Sequence, residues 1–406
     1  MKALVFERKV PKFAAARVAG TFRPGAGAKV GPLRLKDVDP PPLPGDDWVY
    51  VKPRLAGICG SDLATIDGTS SRYFEPIVSF PFTMGHEVVA DLIDPANGIT
   101  EADGSHRVVI EPVLGCVTRG ISPVCDECAA GNLGNCTNIA FGDLEPGLQS
   151  GFCCDTGGGW STMMVAHRSQ LHAVPDDLSD EAAVMVEPTA CAVHAALQTD
   201  PDDHLTVVLG AGTLGLLTVA ALGVYRPATQ IVAVAKHPMQ RQLARELGAA
   251  AVVEPGEIRR GVRRLTGSMA LGDGSILQLL GGAEAVLDCV GSSASIADAI
   301  AVTRPRGRIG LVGMAGVVEV DLTPLWHKEL ALVGAYAYGT ESLPERRRTF
   351  DLAFDLVRDA DLGRLVSATY PLARFEDAVA HAATAGGRGG VKIAFDLRSE
   401  KERIRL

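Results

Sequence analysis

The stretch LTVVLGAGTLGLLTVAALGVY, residues 205–225, decides the fold. Its first five residues form an apolar run suited to a buried strand, and residues 215–224 continue apolar at helical length. Between them stand Gly210, Gly212 and Gly215. Glycine at these places permits a tight turn, close approach of a pyrophosphate to the backbone, and close packing of helix on strand. Thr213 and Leu214 fall at the helix start, where backbone N–H groups and the helix dipole face an anion. Residues 206–225 also form an uncharged run of about the length that crosses a bilayer. The glycine spacing between strand and helix explains the run better as a phosphate loop.

The alternation then repeats. Strands are expected at 231–235, 285–289, 308–312 and 330–336 and helices at 239–247 and 294–302, each bounded by Gly or Pro. This makes residues 200–337 a doubly wound α/β domain with a parallel sheet. In such a domain the end of the second strand selects the cofactor, because NAD enzymes place Asp or Glu there for the ribose 2′-OH. Here that end reads Val234-Ala235-Lys236-His237, with Arg241 close behind. Without a carboxylate, and with ionisable or positive groups where a 2′-phosphate would sit, NADP is favoured over NAD.

A chain of 406 residues exceeds one ordinary domain and fits two. Apolar residues make up 47%, enough to offset chain entropy over most of the length and to argue against wholesale disorder. Acidic residues outnumber basic ones 48 to 39, and the resulting charge of −9 argues against a nucleic-acid partner. The start, MKALVFERKV, alternates like a strand and lacks the apolar run and cleavage site of a secretory signal. The expected compartment is therefore the cytoplasm, without a membrane span, where nine cysteines serve as ligands or buried thiols.

Residues 1–199 read as short β-rich runs between Gly and Pro turns, with DPPPLPGDD at 39–47 as a stiff surface connection. Ser179 caps a helix with Asp180 and Glu181 in its first turn, and Pro188 is expected to interrupt it before a second helical stretch at 189–198. Residues 338–406 hold amphipathic helices around 346–358 and 375–384 and a closing strand at 391–396. They are too few for a core of their own, so they are expected to return to the first domain. Trp160, Phe141, Tyr73 and Phe74 serve either as pocket lining or as core. The N-terminal insertion at 13–36 and GFCCDTGGGW at 151–160 acquire no role at this level.

Residue types that bind metal gather in the β-rich half, in GICGSD at 57–62, GHE at 85–87 and EP at 187–188. Cys, His and Glu suit zinc, and three or four protein ligands leave a place for substrate or water. With the cysteine cluster at 116–136, EPTACAVHA at 187–195 and GAGTLG at 210–215, these pieces run in one order. In that order the chain resembles the zinc-containing medium-chain dehydrogenase/reductase family over nearly its whole length, and especially its polyol, threonine and sugar dehydrogenase branch.

The resemblance implies a mostly-β, GroES-like catalytic domain and a Rossmann cofactor domain, with the active site in the cleft between them. It implies Cys59 and His86 as catalytic zinc ligands and Glu187 as a third ligand or a water-holding carboxylate, with Glu87 either a ligand or placed behind one. Asp62 would orient the zinc-bound imidazole and raise its basicity. Ser61 matches the hydroxyl that takes the substrate alcohol's proton. The liver-type relay ends in a histidine three residues beyond that hydroxyl; here Ala64 stands there, so the proton must leave by another route.

Cys125, Cys128 and Cys136 match three ligands of the family's structural zinc. Ser122 occupies the expected first ligand position, and Cys116 is the expected fourth ligand, with Cys153 or Cys154 as weaker substitutes. The implied function is zinc-dependent hydride transfer between NADP(H) and a small alcohol or polyol or its carbonyl, by a homo-dimer or tetramer. Two readings compete: an NADPH-dependent reductase of activated C=C bonds, against which Cys59, His86 and Glu187 argue, and a non-catalytic NADPH-binding protein.

Overall fold

Strand Leu205–Leu209 is buried along its whole length, and helix Thr213–Tyr225 follows it with Gly212 as N-cap. Both belong to a computed structural model that describes residues 1–93, 106–272 and 277–399. By its internal contacts the chain divides into two units, Met1–Glu187 with Asp361–Leu406, and Pro188–Ala360.

The second unit holds one parallel sheet. Its strands lie in the order Ala251–Val253, Gln230–Val234, Leu205–Leu209, Ala283–Asp288, Thr303–Leu311, Ala331–Gly334. Counted along the chain this is 3-2-1-4-5-6, the doubly wound order that reverses beside the first strand. Val207, Val232, Val286 and Ile309 of four strands meet Ile296 and Ile300 of helix Ser293–Val302 in its core. The third strand escaped the sequence reading because it has only three residues, all half-buried.

The unit also runs further than residues 200–337. Residues Arg346–Arg348 form a strand against Thr340–Ser342 rather than a helix start, and the helix proper is Thr349–Asp359. It is tied to this unit by Tyr225, whose hydroxyl donates to Leu352 O at 2.8 Å. At the other boundary, helix Val186–Leu197 continues through Pro188. Proline is tolerated there because a first-turn residue has no helical partner for an N–H. Among the described residues no helix is long and apolar enough to cross a membrane.

In the first unit the long strand Trp48–Gly57 is central. One side pairs with Val88–Leu92, which continues to Arg107–Ile110 and Leu171–Ala173; the other pairs with Met164–His167 and, further along, with Lys392–Asp396. A smaller sheet joins Leu33–Asp37, Lys2–Phe6 and Phe82–Thr83. Ser179 caps helix Asp180–Ala183 as expected, accepting from Ala182 N at 3.1 Å. The buried carboxylate of Asp180 then accepts from Arg54, Arg107 and Arg398, which ties three distant segments together.

Candidate active site

Strand register brings the first set of residues together. Ala56 pairs with Val88 and Gly57 with Ala394, so Cys59, His86, Glu87 and Lys392 come to neighbouring ends of three adjacent strands. Gly57 N donates to Glu87 O at 2.8 Å and Ile58 N to Ile393 O at 2.9 Å. A Cβ at Gly57 would stand 1.9 Å from Glu87 Oε2, so glycine is what admits the carboxylate. Gly85, at φ +98°, likewise leaves room for Trp160, whose Cδ1 would lie 2.3 Å from a Cβ there.

Cys59 is the N-cap of helix Gly60–Ile66, and its backbone N–H donates to Asp62 Oδ2 at 2.9 Å. The other oxygen of this fully buried aspartate lies 3.4 Å from His86 Nδ1, an ion-pair distance longer than a good hydrogen bond. That contact engages Nδ1 and leaves Nε2 as the nitrogen for a metal. Burial opposes a charge on His86, but Asp62 and Cys59 outweigh it and hold the imidazole pKa well above its ordinary value. The pocket therefore favours positive charge at this ring, a condition a dication also meets. Ligand atoms of Cys59, His86 and Glu87 all lie within 4.8 Å of one another, a sulfur, nitrogen and oxygen set that fits zinc with one place open.

Glu187 stands outside that set. It lies in the first turn of helix Val186–Leu197, and burial pushes its carboxyl up to about 7 against the pull of His86, with Glu87 adding to the rise. Lys392 was not singled out from the sequence, yet it is fully buried and forms an ion pair with Glu87. Burial works against its charge, and the neighbouring Glu87 and Cys59 overcome it, so the ammonium pKa is raised. Its only signal was a charged residue opening a strand whose next three residues are apolar, KIAFD.

Ser61 and Ala64 both lie on helix Gly60–Ile66, with Ser61 in its first turn. The 151–160 segment acquires a place here, since the Phe152 ring lies 5.8 Å from the His86 ring. Trp160 is core, not lining: its indole N–H donates to Gly57 O at 3.0 Å and its ring meets Phe395 edge-on. Tyr73 and Phe141 are largely exposed, and Phe74 packs edge-on against Tyr73.

The four sulfurs of Cys116, Cys125, Cys128 and Cys136 form a second cluster, also within 4.8 Å of one another. Cys136 Sγ lies 3.6 Å from Cys116 Sγ and 4.0 Å from Cys125 Sγ. These spacings bracket the edge of about 3.8 Å for a sulfur tetrahedron with zinc–sulfur bonds near 2.3 Å. Backbone N–H groups of Cys125 and Asn138 donate to Cys116 Sγ and Cys136 Sγ, as N–H groups do to thiolates. Burial works to raise the thiols of Cys125, Cys128 and Cys136, but N–H groups of Cys128 and Thr137 bring Cys125 down to about 6, while Cys128 and Cys136 stay raised. Crowded thiolates resist ionising together unless a cation joins them. Fully buried Arg119 frames this lobe, donating to the carbonyls of Leu114, Phe141, Leu144 and Gly147, and nothing in the sequence marked it. Cys153 and Cys154 lie outside the cluster, near Ser79.

At the phosphate loop, Gly210 has φ +86°, and a Cβ at Gly215 would stand 1.8 Å from Gly210 O, so helix and strand touch there. A Cβ at Gly212 would meet no atom within 4 Å, which leaves a cradle at the N-terminus of helix Thr213–Tyr225. The second strand ends at Val234, and buried Ala235 occupies the selecting position. Lys236 is exposed and His237 half-buried. Arg241 reaches the same strand end, donating to Lys236 O at 3.1 Å and to Glu254 Oε1 at 2.9 Å.

Comparison with known proteins agrees with this layout. A family model described as zinc-binding dehydrogenase matches residues 213–359, and one described as alcohol dehydrogenase GroES-like domain matches residues 45–176. The chain is similar to a sorbitol dehydrogenase of Halalkalibacterium halodurans, 26% identical over 299 residues that cover 73% of this chain and 78% of that protein. It is similar also to a D-xylulose reductase of Scheffersomyces stipitis, 26% identical over 379 residues covering 91% and 96%. The crystal structure of 2R,3R-butanediol dehydrogenase from Bacillus subtilis matches with a TM-score of 0.67 at 24% identity, over 90% of this chain and 96% of that one. The mostly-β unit is thus GroES-like and the doubly wound unit Rossmann-like.

Proposed function

The chain belongs to the zinc-containing medium-chain dehydrogenase/reductase family and is an alcohol oxidoreductase, and on that premise we propose that it moves hydride between NADP(H) and a small secondary alcohol or polyol or the corresponding carbonyl compound. The observation that carries this reading is the convergence of Cys59, His86 and Glu87 within 4.8 Å. Bound zinc supplies Lewis acidity, which lowers the pKa of an alcohol oxygen and polarises a carbonyl. Cys59, His86 and Glu87 would hold the ion, Asp62 would orient the His86 ring for it, and Lys392 pairs with Glu87. Glu187, with a carboxyl pushed up to about 7, can take up or release a proton near neutrality beside them. The Ser61 hydroxyl would take the proton of the alcohol while passing its own to the cofactor ribose or to water, since no imidazole stands at position 64.

A second zinc fits the four-cysteine lobe. The test of the whole reading is an NADP(H)-coupled screen of alcohols, polyols and ketones, with metal measured on the same sample. Two zincs per chain and turnover of at least one substrate class are expected. A protein that carries both ions and binds NADPH but turns over nothing would refute it.

The NADP preference rests on Ala235 in place of an acid and on Lys236, His237 and Arg241 nearby. A 2′-phosphate would compete with the exposed carboxylate of Glu254 for Arg241. Ala235→Asp adds a partner for a ribose 2′-OH and a like charge against a 2′-phosphate. The ratio of kcat/KM for NADP over NAD should therefore fall by about a hundredfold. An unaltered ratio would remove this basis for the preference.

A homo-oligomer is supported by strand Ala331–Gly334, an edge of the six-stranded sheet with all four residues exposed. Its Leu332 and Val333, with Trp326 nearby in sequence, present apolar surface on an edge that is unpaired among the described residues, a template for a second strand. Leu332→Lys should lower the mass measured by light scattering to that of one chain; a mass that does not change would place the contact elsewhere.

A further inference from the structure

The reaction leaves the N-terminal insertion without a role. Its helix, Val10–Phe22, turns small residues inward: Ala16 is buried, and a Cβ at Gly20 would meet Asp67 Cβ at 2.8 Å. Asp67 also accepts from Gly25 N at 2.7 Å and Gly27 N at 2.9 Å, which pins the segment that follows. At about 100° per residue the opposite face carries Pro11, Ala14, Ala15, Val18 and Phe22. All five are exposed, Val18 at 61% and Phe22 at 85%. A surface helix ordinarily turns its polar side to water, whereas this one exposes Val18 and Phe22 as well.

Cations border that face. On the helix projection Arg17 lies along one side and Lys12 along the other, with Arg8 and Lys9 before the helix and Arg23 and Lys29 after it. Residues 8–29 contain these six cations and no Asp or Glu, in a chain of net charge −9. Lys9 pairs with Glu7 and Lys29 lies 3.9 Å from Glu376; among the described residues Arg8, Lys12, Arg17 and Arg23 have no acidic side chain at ion-pair distance.

We propose that this helix seats the protein on the surface of an anionic phospholipid bilayer. Val18 and Phe22 are exposed side chains that can enter the headgroup boundary, and the long Lys and Arg stems beside them can reach back to lipid phosphates. A second copy of this chain is a poor occupant, because a symmetric contact would set the same cations against one another.

The test is sedimentation of the full chain with sucrose-loaded vesicles of phosphatidylcholine, with or without phosphatidylglycerol. Binding is expected only with phosphatidylglycerol, and it should be released at about 0.5 M salt, where screening shortens to a few ångströms. Val18→Glu with Phe22→Glu, and separately Arg17→Glu with Arg23→Glu, should each lower the bound fraction by about tenfold or more. Met269→Glu, at an exposed apolar residue elsewhere, should bind as the parent does. All variants change exposed side chains, and unchanged thermal midpoints would verify that they fold. The proposal is overturned by absence of binding, by equal binding to neutral vesicles, or by double variants that bind undiminished. Loss of a dimer in Val18→Glu with Phe22→Glu, without vesicle binding, would assign the face to self-association. Saturable binding to polyglutamate without vesicle binding would assign it to an acidic protein.

Discussion

Cys59→Ser is expected to lower kcat/KM for the best substrate by about a thousandfold or more, roughly 4 kcal/mol of lost transition-state stabilisation, while leaving NADPH affinity nearly unchanged. Serine offers oxygen where cysteine offers sulfur, so the site loses its soft donor and with it much of its hold on zinc. The fold should survive, because residue 59 is a helix N-cap and serine is favoured there. The phosphate loop is built from residues 210–215 of the other unit, so nucleotide binding gives an independent measure of integrity. The variant should carry one zinc fewer per chain, read on the sample used for kinetics. Turnover close to that of the parent would make zinc-assisted hydride transfer the wrong mechanism.

Cys116→Ser tests the second metal position. Its sulfur lies 3.6 Å from that of Cys136 and accepts from Cys125 N and the Asn138 side chain, each at 3.3 Å. Replacing one of four ligands should weaken zinc at this lobe by more than about a hundredfold, beyond the 10–100-fold typical of residues that merely support a ligand. The expected readouts are zinc content falling from two per chain to one and a lower thermal midpoint, since a structural metal contributes its binding energy to folding. Cys153→Ser is the control: that sulfur is buried beside Ser79 and Glu145, outside the cluster, and both zincs should remain. If Cys153→Ser released the metal and Cys116→Ser did not, the fourth ligand would be misassigned.

The elements legible in the sequence were those whose signal is local. Strand, three glycines and helix lie within 21 residues, and the helix spans Thr213–Tyr225 where 215–224 was expected. The strand expected at 231–235 is Gln230–Val234, and the helix expected at 294–302 is Ser293–Val302. Misreadings arose where an element boundary or a pairing partner was not legible locally. Pro188 sits within a helix because it falls in the first turn, and the arginines 346–348 extend because they pair with Thr340–Ser342. Ala251–Val253 is a strand because it lies beside Gln230–Val234, although three residues carry no readable period.

By itself the sequence determined the donor types, the phosphate loop, the absence of an acid at the end of the second Rossmann strand, and the family. Only the tertiary structure brought donor atoms of Cys59, His86 and Glu87 within 4.8 Å of one another, gathered the sulfur of Cys116 with those of Cys125, Cys128 and Cys136, and set Lys392 against Glu87. It also decided which side of the N-terminal helix faces outward. The reason is register: Lys392 reaches Ile58 O across 334 positions of chain, and a one-residue slip between their strands would turn the lysine to the opposite face of the sheet. A donor's chemistry is local to its residue, whereas the distance between two donors is set by every strand and turn between them.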